Sequence, residues 1–155
     1  MHEVKFDDVD GINALASEEF GDWGAEVEVT QEKINAFAEL TGDTQWIHVD
    51  VERAKAESPF GGPIAHGYLT LSLGPVLFPQ ILTVKGIKMG VNYCCGKVRF
   101  PSPVPVGSNL RLAATLDSVE VLGGGWSQIS MTFTFEVEGA PKPSCVSEII
   151  FRYAE

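Results

Sequence analysis

Basic residues are scarce in this chain. Lys and Arg number 11 against 21 Asp and Glu, a formal net charge of −10 at pH 7. A nucleic-acid binder needs clustered cations to displace phosphate counterions, so that class is excluded. The same field repels anionic ligands at long range, so a phosphate-bearing substrate needs a local basic patch. No apolar run approaches the roughly 18 residues of a membrane helix, and no membrane association is expected. Met1 to Asp8 lack a basic region followed by an apolar stretch, so no secretory leader is expected.

Cysteine is sparse and spaced poorly for cross-linking. Cys94 and Cys95 are adjacent, Cys145 stands alone, and no CxxC occurs. Neighbouring cysteines rarely close a relaxed disulfide, and a zinc site needs a fuller Cys/His set. Buried, reduced thiols in a cytoplasmic protein are therefore expected, with no metal. A GxGxxG entering a helix is also missing. The triplet Gly123-Gly124-Gly125 lies between two strand-like runs and signals a turn, so no nicotinamide, flavin or other cofactor is expected.

What is present is an ordinary globular composition, 45% hydrophobic and 21% charged, in 155 residues without repeats or a Ser/Pro linker. One domain over residues 1–155 is predicted. Val27 and Val29 alternate with charge in a short strand over 24–30. Thr30 then caps a helix over 31–41, with Ile34, Phe37, Ala38 and Thr41 on one face and Gly42 as its αL stop. Residues 43–49 read as irregular, and Asp50 as the N-cap of a short helix through Lys55. Residues 68–78 are apolar on nearly every face. They predict a helix buried on most sides and kinked at Pro75, with a strand over Leu69–Leu73 as the competing reading.

The second half alternates with period two. Leu110, Leu112, Ala114 and Leu116 share one face, as do Ile129, Met131, Phe133, Phe135 and Val137. Turns fall at Gly123–Gly125 and at residues 139–143. Further strands run over about 88–100, bent at Gly96, and about 144–152. The product is an α+β domain in which an antiparallel sheet of about five strands wraps a central buried helix. An open sheet edge invites a second copy, so a homodimer, or a larger even-numbered oligomer built from it, is expected.

Residues 36–70 carry the chemistry. They contain Phe37-Ala38, Thr41-Gly42-Asp43, Ile47-His48, Asp50, Ala54, Phe60-Gly61, Ile64 and His66-Gly67. In order and spacing these pieces resemble the hydratase signature of the MaoC-like family, of the (R)-specific enoyl-CoA hydratase type. The likeness continues more weakly through Val98-Arg99-Phe100 and Pro103-Val104-Pro105-Val106-Gly107. One departure is Gln45-Trp46, where the family often has Asn-Pro; the spacing from Asp43 to His48 is kept. The resemblance implies a hot-dog fold, an acyl-CoA thioester substrate, and Asp43 and His48 as the catalytic pair. It also implies the Gly67 amide as donor to the thioester oxygen.

The residue types suit that reaction. Hydrating a double bond conjugated to a thioester needs a base for water and an acid for the α-carbon. In the expected arrangement His48 takes the proton from water and Asp43, in an apolar setting that raises its pKa, supplies the α-proton. The reverse assignment stays open. Alone, Asp43 reads as a turn residue after a helix, and His48 as a buried, hydrogen-bonded histidine. His66 is expected to support the loop and position Gly67 rather than to move protons. Trp46, Phe60 and Tyr68 are candidates for an acyl pocket or plain core. The predicted activity is reversible hydration of trans-2-enoyl-CoA to (3R)-3-hydroxyacyl-CoA. The alternatives are a hot-dog acyl-CoA thioesterase, a dehydratase subunit acting on acyl-carrier-protein substrates, and a non-catalytic acyl-binding module. Residues 68–78 contain no carboxylate, which weighs against the thioesterase.

Overall fold

The computed structural model describes residues 2–14, 19–20 and 26–155. Two short elements open the chain, strand β1 (His2–Lys5) and helix α1 (Val9–Asn13), followed by β2 (Glu19–Phe20) and β3 (Glu26–Val29). β3 is the strand expected over 24–30; Gly24 and Ala25 lie outside the described residues. Helix α2 (Gln31–Thr41) has the predicted bounds. Thr30 accepts from the Lys33 amide at 3.3 Å, and Gly42 ends the helix at φ 79°, its amide donating to Ala38 O at 2.8 Å. Thr30 thus satisfies an end group of the helix with its side chain, and Gly42 reaches a conformation closed to most residues.

The stretch expected to be irregular holds a four-residue helix, α3 (Trp46–Val49). Asp50 caps the next, α4 (Val51–Glu57), accepting from the Arg53 amide at 3.1 Å. The single helix expected over 68–78 is divided into α5 (Gly67–Ser72), α6 (Gly74–Leu77) and a 3-10 turn (Phe78–Gln80). Pro75 has no amide for the carbonyl one turn earlier, so α5 must stop. The same residue is at ease in the first turn of α6, where no donor is needed. Burial also falls short of the expectation. Leu69, Thr70, Gly74, Leu77 and Phe78 are buried, but Tyr68 is 71% and Val76 51% exposed.

Strand β4 (Leu82–Lys85) pairs in parallel with β1 as a separate two-stranded sheet that the sequence did not suggest. The main sheet is built from β5 (Met89–Arg99), β6 (Ser108–Gly123), β7 (Trp126–Val137) and β8 (Cys145–Ala154), all antiparallel. Its order is β6-β7-β8-β5, with β2 and β3 both against the free side of β6. Among the described residues six strands thus occupy five positions, the α+β hot-dog arrangement. The turn between β6 and β7 uses Gly123, Gly124 and Gly125, each at positive φ. Register shifts in β5 between Cys95 and Val98 mark the bend at Gly96.

Leu110, Leu112, Ala114, Leu116, Ile129, Met131, Phe133 and Phe135 line the inner face and are buried beneath Leu69, Leu77 and Phe78. Each large apolar side chain of this layer contributes about 1.5–3 kcal/mol on burial. The other edge strand, β5, is exposed along almost its whole length. Cys94 and Cys95, expected as buried thiols, lie exposed on it, and only Cys145 is buried. An edge strand has neighbours on one side alone, so alternation cannot bury it without a second chain.

Candidate active site

α2 ends at Gly42, and the αL turn there delivers Asp43 directly beside the helix end. Five residues later α3 presents His48, which is buried. Three bonds hold it. Its Nδ1 lies 2.7 Å from Ile64 O, its amide donates to Gln45 O at 3.0 Å, and Gln31 Nε2 donates to its carbonyl at 2.7 Å. Ile64 O can only accept, so His48 Nδ1 carries the hydrogen and Nε2 keeps its lone pair. Burial pushes the His48 pKa below the ordinary histidine value. The Ile64 hydrogen bond raises it, the neighbouring His66 lowers it and Asp43 raises it, each by less than burial does. The ring is thereby held as a neutral imidazole with a free basic nitrogen.

His66 is also buried, at the entrance to α5. Its Nε2 donates to the backbone carbonyl of Asp43 at 2.9 Å, and its ring stacks on His48 with centroids 3.9 Å apart. Phe37 packs on its other flank at 5.1 Å. Nδ1 of His66 is buried and unpartnered among the described residues. His66 thus ties the Asp43 turn to the His48 ring, two segments that α2 and α3 bring in from different directions.

Gly67 is the first residue of α5, so its amide has no carbonyl of its own helix to reach. A β-carbon there would stand 3.0 Å from ring atoms of Phe100. Only glycine fits without moving that ring. His48, Phe60, Gly67, Thr70, Phe100 and Ser144 are among the residues lining one cavity of about 290 Å³. A second, larger cleft of about 500 Å³ lies between α5, α6 and the β5–β8 side of the sheet, with Leu71, Pro75, Phe78, Phe133 and Phe151 in its walls.

The structure brings Asp43, His48, His66 and Gly67 together. It places Phe60 in the wall of the His48 cavity. Trp46 does not line that cavity; the Arg53 guanidinium sits 4.4 Å from its ring. Tyr68 is exposed and meets Phe100 edge-on at 6.2 Å, outside the cavity wall. Asp43 is exposed rather than held in the apolar setting the sequence reading expected, because it lies in the turn after α2 and not within a packed element. Gln31 and Ser144 were missed by sequence reasoning, and Ile64 and Phe100 entered it only as pieces of the family likeness, without a role. Gln31 and Ile64 act at backbone carbonyls and Phe100 and Ser144 in a cavity wall, and neither leaves a spacing signal.

Asp43, His48 and His66 offer donor atoms within 4.8 Å of one another, a geometry that invites a metal ion. The two rings, however, stack at an interplanar angle of 28°, and one nitrogen of each is bound to a backbone carbonyl. That leaves one free nitrogen on each ring, Nε2 of His48 and Nδ1 of His66. Acid–base chemistry uses this arrangement better than ligation does.

Comparison with known proteins identifies the family. The family model described as MaoC like domain matches residues 21–137. The chain is 53% identical over 150 residues to 3-hydroxyacyl-thioester dehydratase Z of Mycobacterium tuberculosis, covering 96% of this chain and 97% of that protein. It is 39% identical over 153 residues to nodulation protein N of Rhizobium meliloti, covering 97% and 91%. Among solved structures, the unliganded R-hydratase PhaJ1 of Pseudomonas aeruginosa aligns with a TM-score of 0.65 at 21% identity, over 90% of this chain and 82% of that one. At that identity the likeness speaks for the fold alone. On the family match and the two close relatives, this chain belongs to the MaoC-like domain family.

Proposed function

We propose that the protein catalyses the reversible hydration of trans-2-enoyl-CoA to (3R)-3-hydroxyacyl-CoA. Its broader class, a hydratase/dehydratase enzyme, rests on the family match and on 53% identity to a 3-hydroxyacyl-thioester dehydratase. The observation that carries the mechanism is the His48 Nδ1 to Ile64 O bond, which leaves a neutral Nε2 free beside Asp43 and Gly67.

Water bound at His48 Nε2 gives up a proton to the ring as its oxygen joins the β-carbon. The double-bond electrons move onto the thioester oxygen, where the Gly67 amide stabilises the developing charge. The carboxyl of Asp43 then delivers a proton to the α-carbon, and the enolate collapses to the thioester. The cycle closes when the proton held by His48 reaches Asp43. Binding of the thioester across the exposed Asp43 supplies the apolar cover that the free chain lacks. The acyl chain follows α5: one turn, about 5.4 Å, separates Gly67 from Leu71 at the edge of the larger cleft. Phe60 is the aromatic contact nearest the reacting end. A homodimer through the open edge of β5 belongs to the same proposal, since Met89, Val91 and Tyr93 are exposed there.

The test is loss of enoyl absorbance with crotonyl-CoA for the wild type, Asp43→Asn and His48→Gln. Activity that collapses in both variants while their circular dichroism stays native supports the pair. Release of free CoA thiol without hydration replaces this reading with the thioesterase.

A further inference from the structure

The cavity beside His48 holds a hydroxyl that no described residue satisfies. Ser144 lies just ahead of β8, with its amide donating to Phe135 O at 2.7 Å. The residue is 2% exposed, and its Oγ has no hydrogen-bond partner among the described residues. Native proteins seldom leave a buried hydroxyl unpaired unless water or a ligand fills the place. Ser144 shares its cavity with His48 and Thr70. Thr70 Oγ1 already donates, to His66 O at 3.3 Å, so toward the cavity it offers only lone pairs. His48 Nε2 likewise offers a lone pair, as its tautomer requires. Ser144 can donate.

These three capacities complement one water molecule. A buried water needs two to four polar partners, and three are available here. A water placed among them would direct one O–H to His48 Nε2 and the other to Thr70 Oγ1, accept from Ser144 with one lone pair and keep the second for the β-carbon. We propose that Ser144 is the positioning residue for the reacting water, holding it with Thr70 against His48 Nε2. In the hydration direction this water loses a proton to His48 and its oxygen forms the new C–O bond. In the dehydration direction the departing hydroxyl takes the proton back from His48 and occupies the same place. The inference rests on the hydratase reading and adds to it the residue that orients the nucleophile.

The experiment combines a crystal structure with kinetics, for the wild type and Ser144→Ala. The wild type is expected to show an ordered water within about 3.2 Å of both Ser144 Oγ and His48 Nε2, and Ser144→Ala to lack it. With crotonyl-CoA, kcat of Ser144→Ala should fall on the order of tenfold, the worth of one hydrogen bond at the transition state, while KM stays unchanged. A raised KM at unchanged kcat overturns the proposal and makes Ser144 a thioester contact. Unchanged kcat and KM overturn it as well. If Ser144→Ala fails to fold, the wild-type structure decides alone, and an empty place beside Ser144 Oγ overturns the proposal. A wild type that holds the water yet hydrates no enoyl-CoA overturns the hydratase reading and the role of Ser144 with it, leaving a structural water only.

Discussion

Gly67→Ala separates the chemical role of that amide from its place in the fold. The added β-carbon meets Phe100 ring atoms at 3.0, 3.0 and 3.1 Å, closer than carbon atoms normally pack. Phe100 is 42% exposed, so its ring can turn aside, at about 0.5–1.5 kcal/mol for an off-rotamer side chain. Against this, alanine is favoured over glycine by up to about 1 kcal/mol inside a helix, and by less at the first position that Gly67 holds. The net destabilisation is no more than about 1.5 kcal/mol, and the variant should still fold. Activity should not escape so lightly. Phe100 and Gly67 wall the same cavity, and a displaced ring occupies the approach to the Gly67 amide. Loss of one preorganised donor costs roughly 10²–10³ in kcat. The assay is crotonyl-CoA hydration beside a thermal melt followed by circular dichroism. Wild-type kcat in a folded Gly67→Ala would falsify the assignment of this amide to the thioester oxygen. The double variant Gly67→Ala/Phe100→Ala tests the cause. Recovery of at least about tenfold is expected if the displaced ring is the obstacle.

The remaining predictions concern His48 and its supports. Its pKa is lowered on folding from 6.5, so below that value the unfolded chain binds more protons than the folded one. Stability should therefore fall as pH drops through 6.5 toward the lowered folded value, and His48→Gln should flatten that slope in urea melts at several pH values. For the same reason the acidic limb of kcat/KM should titrate below 6.5; a limb above 6.5 would show that another group is the base. Gln31→Leu removes the 2.7 Å bond to the His48 carbonyl. It should cost about 1 kcal/mol in a denaturant melt and lower kcat more than it raises KM.

Much of this molecule was legible residue by residue. Thr30 and Gly42 announce both ends of α2, and Asp50 announces α4, because caps and stops are local chemistry between residues three or four apart. Alternation along residues 110–116 and 128–137 reveals two strands and the face each buries, since side chains on a pleated strand point to opposite sides in turn. Pro75 signalled a disturbance, though not that α5 and α6 would separate completely. Asp43, His48, His66 and Gly67 were singled out by the family resemblance; alone, Asp43 reads as a turn residue and His48 as a buried histidine.

Other features depend on segments far apart in the chain. Ile64 O sets the tautomer of His48 from 16 residues away, and His66 reaches back 23 residues to the Asp43 carbonyl. Phe100 constrains Gly67 across 33 positions, and Ser144 enters the same cavity from the start of β8. Backbone carbonyls are the same in every residue, and a cavity wall has no period, so no pattern along the chain can announce them. The sequence by itself determined the helix caps, the strand faces and the types of residue available for acid–base chemistry, because those rest on short-range periodicity. The tertiary structure alone decided the free nitrogen of His48, the exposure of Asp43 and the neighbours of Gly67, because each depends on where the folded chain brings a distant atom.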